Sequence, residues 1–457
     1  MKHLKLGGAC VVIAAMVVMA VGAPAQAKLE SPNASDLPIA SAALTPGGLD
    51  PLANAELLAV TRLGIPIPRA REAIAVQNAV ERENLISKLD AALGDAYGGV
   101  WYVLEAAQLH VGVTSPAAAQ IAEGLAVQAG LGLRVIAIPV RSSEAELKQA
   151  QRRLDRRLAD LLAGEEAMTW RAAEDNSVHI ELGSEVPADE RAAIEEEASN
   201  APVEVIVTSA SSPNLGVTPQ AQCRKFEAQK AYCDPTVTAG ITLEDDISPW
   251  CTAGPLVLPP KGSTDTYVLS AGHCYKSTKE KWSSSEKTGA VKEVIGEVVA
   301  IVSEANGDNA DVAAIKVENP VWRKAGDIPV VPAIAVWDKA KETNPIKVEG
   351  QLAPAAKDPT CNSGQISGYQ CGTIKATGLS AGKLKEMVEV EGIKTQFGDS
   401  GGPWFSKETG LVQGIHTGEN KGNGNPVFED LKWALKRLNE VAKLDVELLT
   451  TKNEKRM

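Results

Sequence analysis

The C-terminal half of this 457-residue chain predicts an all-β sandwich or barrel, and the N-terminal half predicts two small repeated α/β lobes. Three observations carry this. From Cys223 onward, short β-branched runs such as TYVLSA at Thr266 and GEVVAIV at Gly296 are separated by Gly, Pro and Asn, the punctuation of short strands. In the N-terminal half, Trp101 and His110 recur 69 residues later as Trp170 and His179, and RVIAIPV at Arg134 to Val140 recurs at the same offset as VEVIVTS at Val203 to Ser209. A fixed offset shared by several features marks an internal repeat. Between Ser209 and Gln222, Ser, Pro, Gly and Thr displace periodic apolar residues, which reads as a linker or processing loop.

Taken in order, Lys2 and Lys5 precede an apolar run from Ala9 to Val21 that ends in Ala25-Gln26-Ala27, the pattern of a signal peptide over residues 1–27. That run is shorter than the ~20 apolar residues a spanning helix needs, and no later stretch approaches that length. Each repeat copy reads strand, strand, helix, strand, with helices expected from Ala117 to Gly130 and from Ala188 to Ser199. A charged helix, Ser143 to Ala163, joins the copies; Ser143 is the expected N-cap, with Leu147, Leu154, Leu158 and Leu161 on one side. After the β half, Glu429 to Leu444 places Leu431, Leu435, Leu438 and Ala442 at helical spacing, and the segment ending in KNEKRM is expected to fray.

The formal net charge of −12 argues against nucleic acid or an anionic membrane as partner. Cys10 leaves with the signal peptide. The other six cysteines, Cys223, Cys233, Cys251, Cys274, Cys361 and Cys371, all lie in the C-terminal half, where an even number in an exported chain predicts three disulfides. Metal ligation is the competing reading, but this half has no CxxC and only two histidines, so no metal is expected.

Chemistry concentrates in three strings: SAGHC ending at Cys274, DVAAI beginning at Asp311, and GDSGGP around Ser400. A serine hydroxyl becomes a useful nucleophile when an imidazole takes its proton and a buried carboxylate holds that imidazole's tautomer. His3 is removed with the leader, and His110 and His179 occupy matching places in the repeat, so the base is His273 or His416. His273 is preferred because it follows a hydrophobic strand and precedes a cysteine. Asp311 opens a run of small apolar residues, whereas its neighbours Asp308 and Glu304 sit in a Gly-Asn loop and read as surface charge. Gly398 and Gly401 allow a sharp turn that converges the amides of Gly398 and Ser400 on a developing oxyanion. GDSGG also satisfies GxSxG, which leaves an esterase open, although that reading needs a strand-turn-helix and a distant downstream histidine.

With His, Asp and Ser in that order, these strings resemble the chymotrypsin fold, in particular the secreted bacterial branch of streptogrisin and α-lytic protease; subtilisins and α/β-hydrolases run in other orders. The resemblance implies an all-β catalytic domain of two six-stranded antiparallel Greek-key barrels with a C-terminal helix, preceded by an α+β prodomain of two repeated lobes. It implies that Cys361 pairs with Cys371 and Cys251 with Cys274, which leaves Cys223 for Cys233. GGVWYVLEAAQLHVGVTS, and SSEAELKQAQRRL followed by AMTWRAAEDNSVHIEL, resemble the α-lytic-type propeptide, which implies an intramolecular folding catalyst and inhibitor that is cut away. The alternative is a substrate- or wall-binding module that stays attached. In GIHTGE, the resemblance implies that Thr417 and Gly418 pair with extended substrate and that the Thr417 hydroxyl supports Asp311. His416 and Thr395 are similar to positions of glutamyl endopeptidases that bind a glutamate side chain. The chain also departs from the branch: Phe397 stands where a cysteine is expected, Glu419 where glycine is frequent, and Asn362 where an arginine neutralises the aspartate equivalent to Asp399. A new N-terminus or a lysine is then expected to pair with Asp399.

The expected protein is therefore a secreted, monomeric serine endopeptidase without cofactor, acting on protein or peptide substrates and partnered by its own propeptide. Its expected divisions are a signal peptide (1–27), a propeptide (28–208, lobes about 57–140 and 165–208), a processing linker (209–222), a protease domain (223–444) and a C-terminal tail (445–457). A catalytically weak binding or adhesion protein on the same fold is the alternative from another class.

Overall fold

The computed structural model describes residues 55–162, 167–210, 217–219, 237–244, 251–260, 265–285, 292–319, 324–325, 328–329, 332–338, 341–342 and 345–453. The expected signal peptide and the Cys223–Cys233 pair lie outside the described residues.

The internal repeat is physical. Trp101 stands opposite His110 across the antiparallel strands Tyr97–Val103 and Gln108–Val113, with ring centroids 5.5 Å apart, and Trp170 stands opposite His179 across Ala167–Ala172 and Ser177–Leu182, at 4.9 Å. What recurs is a cross-strand aromatic pair, the unit that stabilises a two-stranded ribbon. In each lobe a helix, Pro116–Gln128 or Ala188–Ser199, then carries the chain to a third strand, Val135–Pro139 or Glu204–Ser209, parallel to the second. The joining helix, Glu144–Leu161, starts on a capping box in which the Ser143 hydroxyl accepts from Glu146 N and the Glu146 carboxylate accepts from Ser143 N. Its Leu147, Leu154 and Leu158 are buried. Three further helices, Ala55–Arg62, Ile67–Arg82 and Leu85–Leu93, precede the first lobe.

The C-terminal half is chymotrypsin-like and mostly β. One six-stranded sheet runs in spatial order Lys281–Ser285, Lys292–Val302, Val312–Lys316, Tyr267–Ser270, Leu256–Leu258, Glu447–Leu448. Residues 445–453 therefore do not fray: Val257 pairs with Leu448, and Val446, Leu448 and Leu449 are buried, because their apolar side chains complete this core. The second set runs Pro359–Gly364, Pro403–Phe405, Leu411–Asn420, Pro426–Asp430, Leu384–Glu391, Gly368–Ala381, and closes because its first and last strands pair. Gly368–Ala381 is long enough to pair beyond the barrel with Ala167–Ala172, so the second lobe's three strands continue the protease sheet. Glu429 and Asp430 end a strand rather than begin a helix; the helix Leu431–Arg437 follows, capped by Asp430 accepting from Trp433 N. Within the expected linker, Val217–Pro219 is a strand, antiparallel to Gly418–Asn420.

Where the N-terminal helices meet the second barrel, three carboxyls are buried together. Glu56 accepts from Lys407 N, Glu81 accepts from the hydroxyls of Ser406 and Thr409 and from Gln77, and Asp358 accepts from Gln413. None forms an ion pair among the described residues, and Tyr102 and Tyr369, near enough to feel these charges, are not cations. Burial first, then mutual repulsion, pushes the Glu56 carboxyl up to about 8; Glu81 and Asp358 are raised too, chiefly by burial. Docking is therefore fully favoured only below the ordinary values of these acids, 3.8 for Asp358 and 4.5 for the glutamates, where they are neutral whether docked or free, and is weakened as pH rises from there towards 8. In the intact Ser400→Ala chain, amide exchange across residues 55–93 should accelerate with pH beyond its intrinsic rate, by up to roughly tenfold per unit for each titrating group. Glu56→Gln should flatten that slope; an unchanged slope in this variant would show that the cluster does not govern docking.

Candidate active site

His273 lies in the short turn Gly272–Cys274 that ends the strand Tyr267–Ser270, and the Cys251–Cys274 disulfide ties that turn to the short strand Cys251–Thr252. Asp311 immediately precedes the neighbouring strand Val312–Lys316 and is 3% exposed. Its Oδ1 accepts from His273 N at 2.8 Å and its Oδ2 accepts from His273 Nδ1–H at 2.8 Å. With Nδ1 protonated, Nε2 is left to accept from Ser400 Oγ–H, 3.0 Å away. Ser400 belongs to the other barrel, in the turn before Pro403–Phe405, and is fully buried in the intact chain.

The turn around Ser400 is built on two glycines with positive φ. A Cβ on Gly398 (φ 97°) would lie 2.8 Å from Ile366, and one on Gly401 (φ 94°) would lie 2.2 Å from the Ser270 hydroxyl. The Gly398 carbonyl is held by Thr252 Oγ1 at 2.7 Å and Gln365 Nε2 at 3.0 Å. No hydrogen bond engages the amides of Gly398 and Ser400 among the described residues, so two donors beside the Ser400 hydroxyl stay available. Each such donor is worth about 3 kcal/mol to an oxyanion.

Asp399 needs no cation. Its carboxylate accepts from the amides of Ile366 (2.9 Å), Ser367 (3.0 Å) and Gln396 (2.8 Å), while burial raises its pKa. Three amides replace the expected N-terminus or lysine. Asn362, at the arginine position, instead donates to Pro403 O. The expected Cys361–Cys371 disulfide is present, across directly opposed residues of its hairpin.

Of the expected substrate-contacting residues, His416, Thr417 and Gly418 lie on Leu411–Asn420, all buried, and Thr395 is 9% exposed. His416 Nδ1 accepts from Trp404 Nε1–H at 3.4 Å, which puts the ring proton on Nε2, and Trp404 in turn stacks on Phe428. Burial first, then the nearby His273, pushes His416 down to about 3. It is a neutral donor, not the protonatable cation the sequence suggested. The hydroxyls of Thr395 and Thr417 have no hydrogen-bond partner among the described residues, so the expected support of Asp311 by Thr417 is absent.

Behind Asp311 stands a residue the sequence did not single out. Glu429 is fully buried, its Oε2 accepts from Asp311 N at 3.1 Å, and burial followed by the charge of Asp311 raises its pKa well above the carboxylate range. The only sequence signal is a pair of acids closing an apolar strand, PVFED.

Residues 262–432 match the trypsin family model, and residues 69–124 match the alpha-lytic protease pro N-terminal model. Among solved structures, Thermobifida fusca protease A is 19% identical with a TM-score of 0.36, covering 47% of this chain and 99% of its own. A protein described as a glutamic acid specific serine protease that utilizes a novel histidine triad in substrate binding gives 19%, 0.36, 47% and 100%, and Nocardiopsis protease 18%, 0.35, 47% and 100%. The chain thus carries a trypsin-family domain. It is a serine-type endopeptidase preceded by an alpha-lytic-type pro domain.

Because a neutral amide can replace a neutral acid, Glu429→Gln should keep kcat within about threefold, whereas Glu429→Ala, which leaves the Asp311 amide unpaired at a cost of about 1–3 kcal/mol, should lower kcat at least tenfold with KM little changed. Steady-state kinetics of the two processed variants checks this; equal losses in both would mean that Glu429 is needed as an anion.

Proposed function

We propose that the protein is made as a secreted preproenzyme in which His273 is the general base, Asp311 holds its tautomer, Ser400 attacks the scissile carbonyl, and the amides of Gly398 and Ser400 stabilise the oxyanion. The observation that carries this reading is the unbroken chain from Asp311 Oδ2 through His273 to Ser400 Oγ, with links of 2.8 and 3.0 Å. Ser400 passes its proton to Nε2 as it attacks, the imidazolium is stabilised by Asp311, and the proton is then returned to the leaving amine; water repeats the cycle on the acyl-enzyme.

In this reading the pro domain is also an inhibitor. Val217–Pro219 occupies the edge of Gly418–Asn420, the backbone an extended substrate would use, and its antiparallel register runs towards the end of that strand where Gly401 N donates to His416 O. The processed bond accordingly falls just beyond Pro219, within residues 219–222.

The preferred side chain before the scissile bond is glutamate, read by His416 with Thr395. His416 is held in place by the Trp404 indole, and Thr395 adds a buried hydroxyl without a partner among the described residues. Such a donor suits a carboxylate, and leaving it unpaired penalises an apolar side chain. Profiling the processed enzyme on a peptide library should give glutamate preference that falls at least roughly tenfold in His416→Ala. Preference for large apolar side chains in the parent enzyme would overturn the pocket assignment while leaving the triad intact.

A further inference from the structure

Away from Ser400, the second prodomain lobe and the protease enclose a cleft of about 720 Å³ between the helices Glu144–Leu161 and Leu431–Arg437. Its lining holds nine Lys and Arg against four Asp and Glu, in a chain whose net charge is −12. The four acids are already committed. Asp155 pairs with Lys385, Glu386 pairs with Lys148 and Arg171, Asp308 lies 3.7 Å from Arg437, and Asp430 caps its helix. The surplus is therefore cationic, and it comes from both partners. Arg152 and Arg156 stand one helical turn apart on the prodomain helix and form no ion pair among the described residues; Lys432 and Lys436 stand one turn apart on the protease helix, with Lys436 reaching Glu440 just beyond that helix, at 3.7 Å, and lying over the Trp433 ring.

Like charges one turn apart destabilise a helix, and like charges set against each other disfavour an interface. Here both occur at the boundary the prodomain must hold until it is cut. A further donor, Arg437 Nε–H, is buried without a partner among the described residues. An unmet buried donor beside uncompensated cations on two walls is the complement of an anion that carries several charges and several acceptor oxygens.

We propose that this cleft binds a multiply charged oxyanion of the polyphosphate type, which bridges the two helices and fastens the prodomain to the protease. Arginine forks match phosphate oxygens bidentately, and lysines add point charges on the opposite side. A short phosphate chain brings enough charges and acceptor oxygens to meet both cation rows. The site lies outside the catalytic constellation and holds whether or not His273, Asp311 and Ser400 play the roles given above.

The test uses the intact chain with Ser400→Ala, so that it stays uncut, and inorganic tripolyphosphate as the probe. Calorimetry should show one tripolyphosphate bound per chain, inorganic phosphate binding at least roughly tenfold more weakly, and affinity falling steeply with salt. Arg152→Glu with Arg156→Glu, and separately Lys432→Glu with Lys436→Glu, should each weaken binding at least roughly tenfold. Without any anion, either pair of reversals should slow amide exchange in the prodomain helix, since it turns repulsion across the cleft into attraction. Binding that survives one of the two reversals, equal binding of phosphate and tripolyphosphate, or an effect reproduced by sodium chloride at matched ionic strength would overturn the proposal.

Discussion

One imidazole, held from both sides, is the constraint on which the rest of the structure depends. His273 and Asp311 belong to the first six-stranded sheet and Ser400 to the second barrel, so the two hydrogen bonds of His273 form only when the sheets are set against each other correctly. Much of the surrounding architecture fixes that relation. The Cys251–Cys274 disulfide pins the histidine turn, Glu429 reaches across from the second barrel to the Asp311 amide, and Thr252 Oγ1 of the first half holds the Gly398 carbonyl of the second. Other polar contacts, such as Lys383 N donating to Glu304 Oε1, join the two halves farther from these atoms.

The prodomain is joined to the protease by different physics at each contact. Its second lobe adds strands to the protease sheet, a backbone interaction that tolerates sequence change. Its N-terminal helices bury carboxyls rather than ion pairs, which makes that contact sensitive to proton activity. Between these lies a cross-boundary ionic knot in which Arg171, nearly buried, is shared by Glu144 and Glu386, and Glu386 is pulled down to about 2 because Arg171 and Lys148 outweigh the cost of burial. The contact is thus assembled from terms that respond to pH and salt.

The strings around His273, Asp311 and Ser400 were legible because the proposed chemistry needs particular residue types beside glycines and cysteines with mechanical roles, and those appear as contiguous motifs. The repeat was legible because Trp101 and Trp170 each need a histidine opposite at the same strand spacing. What the sequence did not reveal depends on long-range partners. The Asp399 carboxylate is held by backbone amides, which leave no signature in side-chain identity. Glu429 acts through a residue 118 positions away. The strands Glu447–Leu448 and Val217–Pro219 are too short for periodicity to register, and exist because an open sheet edge needs a partner. His416 looks like a titrating group in sequence, and only its complete burial against Trp404 makes it a neutral donor.

The most direct test of the central claim is mass-spectrometric mapping of a fluorophosphonate on the processed enzyme, because this reagent reports a serine oxygen that has an imidazole to take its proton. The account predicts a single adduct, on Ser400, with labelling slowed by orders of magnitude in His273→Ala. An adduct elsewhere in the chain, or labelling of Ser400 at the parent rate without His273, would contradict it.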